Sequence, residues 1–282
     1  MTLLLRQVGH ELVKLFARRR TYIGFGAFLA VQLAILLLLE HPKAKANVGR
    51  LLTANGLDFS EHYRGLTLAV VIIVFTFVLL GALYVALVAG DIVAKEVEDG
   101  TMRMVLSRPV ARLRLLAIKY AACTVYTVVL VLFLAATALL FASVYKGGLG
   151  KLFVFIPEEE LFAFYDTGEG LWRYARAAAC LAYATLAVSS MAFMFSCFKM
   201  KPAAATILTL SVFFVDLVLQ NMPFFRSFRG WFMTYHSGFW ARTFHDVPPW
   251  PSILVSITYL GTLSVTFAAV GAMRFCTRDL KA

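Results

Sequence analysis

Charge is scarce in this chain: only 15% of its 282 residues are Asp, Glu, Lys or Arg, while 61% are hydrophobic. A soluble fold of this size would expose far too much apolar surface, so the composition, with a mean hydropathy of +0.78, places the chain in a membrane. Cysteine is scarce too. Cys123, Cys180, Cys197 and Cys276 all lie in apolar runs or beside the basic tail, so no disulfide framework is indicated. The sequence has no Gly-rich loop ending in Gly-Lys-Ser/Thr, which excludes ATP hydrolysis by the P-loop route. His10-Glu11 lacks the second histidine of a His-Glu-x-x-His zinc site, and Ser189, Ser190 and Cys197 have no histidine nearby in sequence to act as base. Met191 and Met194 form a single Met-x-x-Met spacing with no further methionine repeat and no Cys-x-x-Cys beside it, so they read as packing and no metal or bound cofactor is implied. The formal net charge of +11 is split into short clusters beside apolar runs, the pattern of topology signals and not of nucleic-acid binding.

What is abundant is long apolar sequence. Six stretches, at roughly 22–39, 66–89, 115–142, 175–198, 203–220 and 252–272, are long enough or nearly so to cross about 30 Å of hydrocarbon. Each must be helical, because an unpaired backbone amide in lipid costs several kcal/mol and the alternation of a barrel strand is missing. Before them, Leu4, Leu5, Val8, Leu12, Leu15 and Phe16 recur at steps of three and four, with Arg6, His10 and Lys14 around the other side. Residues 1–20 therefore read as an amphipathic interfacial helix ending in Arg18-Arg19-Arg20, which would anchor on anionic membrane lipid. Ala44-Lys45-Ala46 loosely mimics a cleavage site, but the preceding apolar run is long enough to span, so the segment is read as uncleaved. With no internal repeat or low-complexity linker, residues 1–282 form a single transmembrane domain.

Basic residues fix the expected orientation. Five lie in the N-terminal stretch, six between Lys95 and Lys119, two in the Lys199-Met200-Lys201 turn and three in the tail, all on one side of a six-span chain. That side is expected to be cytosolic, with both termini there and the protein in the cytoplasmic (inner) membrane. On the other side, Pro157 followed by Glu158, Glu159 and Glu160 reads as a helix start, with Leu161, Phe162, Phe164 and Tyr165 along the membrane surface; the glutamates also suit a cationic ligand. Residues 221–251, rich in Trp, Tyr and Phe, read as an interfacial aromatic belt or an extracytoplasmic cap.

Between the second and third spans lies a charged island, with ten charges from Asp91 to Lys119. Asp91 precedes Lys95 by four and Asp99 precedes Arg103 by four, the favourable order on a helix. Gly100 is a helix stop, Thr101 a cap for a second short helix, and Pro109 a break before the third span. Residues 90–114 thus form a stiff hairpin standing in the cytosol.

The order Gly90, Ile92, Glu96, Gly100-Thr101, Leu106, Pro109, Arg112, Lys119 resembles the segment between the second and third spans of ABC-2 type permeases, the membrane subunits of ABC exporters. The N-terminal amphipathic helix, the six spans and the ending Phe275 to Arg278-Asp279 extend the resemblance over nearly the whole chain. It implies a type V exporter fold, in which two six-span halves pack together and a coupling helix inserts into a separate soluble P-loop ATPase that binds ATP and Mg. By that resemblance Asp91, Glu96, Gly100 and Thr101 lie at or beside the coupling helix, Arg112 and Lys119 order its return to the membrane, and 221–251 corresponds to the cap of the exit path. A membrane salt-bridge network that only holds the hairpin's shape accounts for the same charges. A homodimer or a pair with a related permease is implied as well. The competing class is a stand-alone secondary transporter or channel, which needs ionisable or strongly polar groups in mid-membrane. Gln32 and Asp216 are the candidates for such a path, Asp216 with a structural pair to Arg226 as its alternative. A membrane-embedded enzyme is the remaining class.

Overall fold

A computed structural model describes residues 2–54, 58–106, 111–156 and 161–277. Of the sequence features above, Pro109, the Pro157–Glu160 run and the Arg278-Asp279 ending lie outside the described residues, as do the side chains of Arg103 and Leu106.

The chain is built on helices. After α1 (Thr2–Ala17) come α2 (Arg19–Leu39), α3 (Pro42–Ala54), α4 (Phe59–His62), α5 (Gly65–Thr76), a π-helical turn (Phe77–Gly81), α6 (Ala82–Glu98), α7 (Thr101–Leu106) and α8 (Arg112–Lys146). A hairpin of β1 (Leu152–Ile156) and β2 (Leu161–Tyr165) leads to α9 (Thr167–Ser196) and α10 (Pro202–Asn221). A 3-10 helix (Pro223–Trp231), α11 (Met233–Ser237), α12 (Phe239–Arg242) and α13 (Trp250–Thr277) complete the chain. Six helical rods, α2, α5 continued through α6, α8, α9, α10 and α13, are long and apolar enough to cross a membrane. They match the six expected spans, though most run further. The 35 residues of α8 reach roughly 50 Å at 1.5 Å per residue, beyond the hydrocarbon thickness.

Burial separates the spans by role. In α9, 67% of the most apolar stretch is buried, against 17% in α10 and in α13, so α9 is the axis of the bundle. Its sequence explains why: Ala177, Ala178, Ala182, Ala184, Ala187, Ser189, Ser190 and Ala192 are all buried, and such small side chains let α6, α8 and α13 approach closely. Close approach also shapes α2, where a Cβ on Gly24 would stand 2.1 Å from the Tyr84 ring. The outward faces of α10 and α13 expose Ile207, Val212, Phe214, Leu254, Val255 and Val265, as a lipid-facing surface requires.

Contacts define the two ends of the bundle. Arg112 at the start of α8 donates to the Cys276 carbonyl of α13, and Arg114 donates to Gln7 of α1, so the described chain ends lie together with the α6–α8 connection at what is here called the terminal end. The other end carries α3, the β-hairpin and the short helices of 223–242. There the expectation for residues 161–165 is corrected: they form a strand. Leu161, Ala163 and Tyr165 are buried while Phe162 and Phe164 are exposed, a period of two, and the strand pairs antiparallel with β1 from Leu152↔Tyr165 to Ile156↔Leu161. The apolar and aromatic run Leu152-Phe153-Val154-Phe155-Ile156 supplies a partner that a lone surface helix would not have had.

Candidate functional site at the terminal end of the bundle

The charged island meets the N-terminal helix over a single buried ammonium. Lys119 sits one to two turns into α8 with its side chain only 1% exposed, and its Nζ donates to Glu11 Oε2 of α1 at 2.9 Å and to Glu96 Oε1 of α6 at 2.7 Å. Lys14 closes the group, 2.9 Å from Glu11 Oε1 and 3.8 Å from Glu96 Oε1. Two ammoniums against two carboxylates leave the cluster neutral, which is the condition for burying charge. Burial by itself pushes the Glu11 carboxyl up, but Lys119 and Lys14 outweigh it and hold the group below its ordinary value. Burial likewise opposes the charge on Lys14, and Glu11 and Glu96 raise its pKa in spite of it. Three elements distant in sequence are thereby pinned at one point: α1, the end of α6 and the start of α8.

A second ion pair lies one turn up. Asp91, buried on α6, accepts from the Arg20 guanidinium at the first turn of α2 and not from Lys95. Lys95 instead faces Asp99 at 4.0 Å, the outer limit of an ion pair and weak at that exposure. The expected Asp91–Lys95 pair is therefore replaced, because Asp91 points at the elbow between α1 and α2. Next to it Tyr84 bonds Tyr126 at 3.1 Å and the Thr21 carbonyl at 3.3 Å, so the elbow is tied to α6 and α8 at several points.

Gly100 ends the hairpin helix as anticipated, at φ 73°, the left-handed conformation that favours glycine after a C-terminus. Thr101 also reaches backward: its hydroxyl donates to the Glu96 carbonyl at 3.2 Å, closing the end of α6. Arg112 joins the return helix to the end of α13.

The two mid-membrane candidates are not brought together. Gln32 is fully buried on α2 and donates from Nε2 to the Leu134 carbonyl of α8 at 2.9 Å, while its Oε1 has no partner among the described residues. Asp216 pairs with no arginine among the described hydrogen bonds and ion pairs; it accepts from the Met233 and Thr234 amides at 3.3 and 2.7 Å and from the Thr234 hydroxyl at 2.6 Å. It thus satisfies the start of α11, a helix of five residues. Met191 is packing, buried with Phe239 and Ile253.

Glu11, Lys14 and Arg20 were not among the residues singled out for this site. The available signal was Glu11, the one acid on an otherwise apolar and basic helix, with Lys14 at i+3. At the other end Arg173 is equally unannounced: it bonds Glu169 at 2.6 Å, stacks 3.9 Å from the Tyr165 ring and donates to the His245 and Asp246 carbonyls, holding the hairpin and the loop before α13 to α9.

No curated protein matches the chain. One family model matches residues 45–281, a stretch that includes Asp91, Glu96 and Lys119 but not Glu11, Lys14 or Arg20. With most of its length covered, the chain belongs to the family described as Protein of unknown function (DUF2705).

Proposed function

We propose that this protein is the membrane subunit of an ATP-driven ABC transporter of the ABC-2 permease kind, exporting a substrate across the cytoplasmic membrane. The observation that carries the reading is the Lys119 cluster. A segment that received force from a soluble partner would have to hand it to the spans without bending, and Glu96, at the end of α6, is locked through Lys119 to both α1 and α8. In this reading residues 90–114 stand in the cytosol as the coupling hairpin, with both termini on that side, and α1 lies in the membrane interface. Gly100 gives the hairpin its sharp corner, and Asp91 ties its root to the elbow. A separate P-loop ATPase supplies ATP and Mg chemistry that this chain has no motif for. The sparsely buried faces of α10 and α13 leave room for a second permease half, identical or related, as well as for lipid. Residues 221–251 cap the exit path.

Transport would follow from linkage: ATP favours closure of the ATPase, closure moves the hairpin, and the rigid cluster converts that motion into a change of packing between the halves. A tagged chain purified in mild detergent from its native host tests the proposal. A soluble P-loop protein should co-purify in stoichiometric amount, with ATP turnover that changes when Glu96 is replaced. A chain that purifies alone under several gentle conditions would instead favour a stand-alone carrier.

A further inference from the structure

A cleft opens where α1 turns into α2 against the side of α6. Its charged lining is Arg18, Arg20 and Asp91, and its apolar wall is Leu15, Leu87 and Val88. The neighbouring hydroxyls are already engaged: Thr21 donates to the Leu15 carbonyl at 2.6 Å, and Tyr84 bonds Tyr126 and the Thr21 carbonyl. Arg20 is engaged too, by Asp91. Arg18 is half-buried at the cleft, and no hydrogen bond or ion pair is made by its guanidinium among the described residues. Two guanidiniums against one carboxylate leave one uncompensated positive charge beside an apolar wall.

That combination selects an anion attached to a hydrocarbon chain. We infer that the cleft is a binding site for one anionic phospholipid, its phosphate on Arg18 and its acyl chain along Leu87 and Val88. A planar guanidinium matches a phosphate with paired hydrogen bonds. The elbow between an amphipathic helix and a span stands at headgroup depth, where a lipid phosphate is the anion at hand. A free phosphate would satisfy Arg18 but would make no contact with the apolar wall of Leu15, Leu87 and Val88. Bound there, the phosphate also lies in the field of Arg20, so the lipid acts on the pair that fastens the root of the 90–114 segment. The site rests on the membrane placement of the chain alone and stands or falls independently of any ATPase partner.

Native mass spectrometry of the full chain in mild detergent tests this, with phosphatidylglycerol, phosphatidylcholine and inorganic phosphate titrated in separate arms. One phosphatidylglycerol should remain bound at collision energies that strip the others, and R18Q should weaken that adduct about tenfold. R18K should retain part of it, and K43Q, an exposed lysine of α3, should retain all of it. Unchanged thermal unfolding of R18Q would confirm that the loss is of binding and not of fold. Equal retention of phosphatidylglycerol by R18Q and the unaltered protein, or equal binding of phosphatidylcholine, overturns the proposal. Displacement of the lipid by millimolar inorganic phosphate would do so as well, by making the site one for the free anion.

Discussion

Glu96 and Lys119 are 23 positions apart and belong to opposite arms of the α6–α8 connection, yet their charged groups meet at 2.7 Å with the lysine fully withdrawn from solvent. The pair is what turns two helices and a turn into one body. Glu11, which reaches the same ammonium from α1, makes the N-terminal helix a third member of that body.

Removing the ammonium is expected to be worse than removing the whole group. Lys119→Met leaves Glu11 and Glu96 facing each other with only the half-exposed Lys14 between them, and a buried charge deprived of its partner typically costs about 3–5 kcal/mol. The triple change Lys119→Met, Glu96→Gln, Glu11→Gln removes the charges together and should recover most of the lost stability. Thermal unfolding of the detergent-solubilised variants compares them. A single Lys119→Met as stable as the unaltered chain would show that the cluster is solvated and holds nothing.

Charge reversal at Glu96 separates shape from coupling. Glu96→Lys places a third cation on the cluster and should detach the end of α6, while the apolar spans still insert. In a complex with the proposed ATPase, stimulation of ATP turnover by substrate should fall severalfold. Normal stimulation with normal insertion would confine the cluster to holding the hairpin's shape.

Acid is expected to act on the cluster and on the far end of the molecule at different pH. The lowered pKa of Glu11 means that its contribution is fully present above its ordinary value of 4.5 and is lost as pH falls from there through the lower folded value. At the far end the relevant group is His236, whose ordinary value is 6.5. Its Nε2 is 3.0 Å from the Gly230 carbonyl, which can only accept, so that nitrogen carries the proton and Nδ1, 3.0 Å from Ser256 Oγ, accepts in the neutral ring. Burial, reinforced by Arg242, lowers the histidine's pKa below 6.5 despite the bond to Gly230. Tyr259 stacks on the ring and Tyr235 meets its edge, while the nearby Asp216 carboxylate is taken up by Thr234 and makes no ion pair with the histidine among the described residues. A histidine held neutral gives its full contribution above pH 6.5, and that contribution shrinks as pH falls toward the folded pKa. Unfolding midpoints measured from pH 8 to pH 5 should decline below 6.5, and His236→Gln should flatten that decline. An unchanged slope in the variant would assign it to other groups.

How much of this was legible in the sequence depends on the range of the interaction. The six spans were readable because each is a local run of apolar residues whose length alone must match the bilayer. Gly100 was readable because a left-handed residue after a helix end is a local demand. The partners of Asp91 and Lys119 were not, because local spacing offers Lys95 at i+4 and says nothing of Arg20 or Glu11, which only the packing of α1 and α2 on α6 and α8 brings near. The β-hairpin was missed for the same reason: the proline and glutamates before Leu161 are a local helix signal, while the pairing that makes a strand lies in residues 152–156. Asp216 was singled out correctly as a polar group needing an explanation, but its partners are backbone amides, which carry no mark in a sequence.

Asp216→Asn therefore discriminates between an architectural and a substrate-contacting role. The variant keeps an oxygen for one amide but loses the charge that draws three donors, so the α11 end should loosen by about 1–2 kcal/mol. Amide hydrogen exchange over residues 233–237 should speed up accordingly, with the remaining spans protected as before. Transport or binding, once a substrate is in hand, should change only as far as that local loosening carries. A variant with unchanged exchange at 233–237 and abolished transport would make the carboxylate a contact of the substrate, and Gln32, on the buried face of α2 with no partner for its Oε1 among the described residues, would be the next residue to replace.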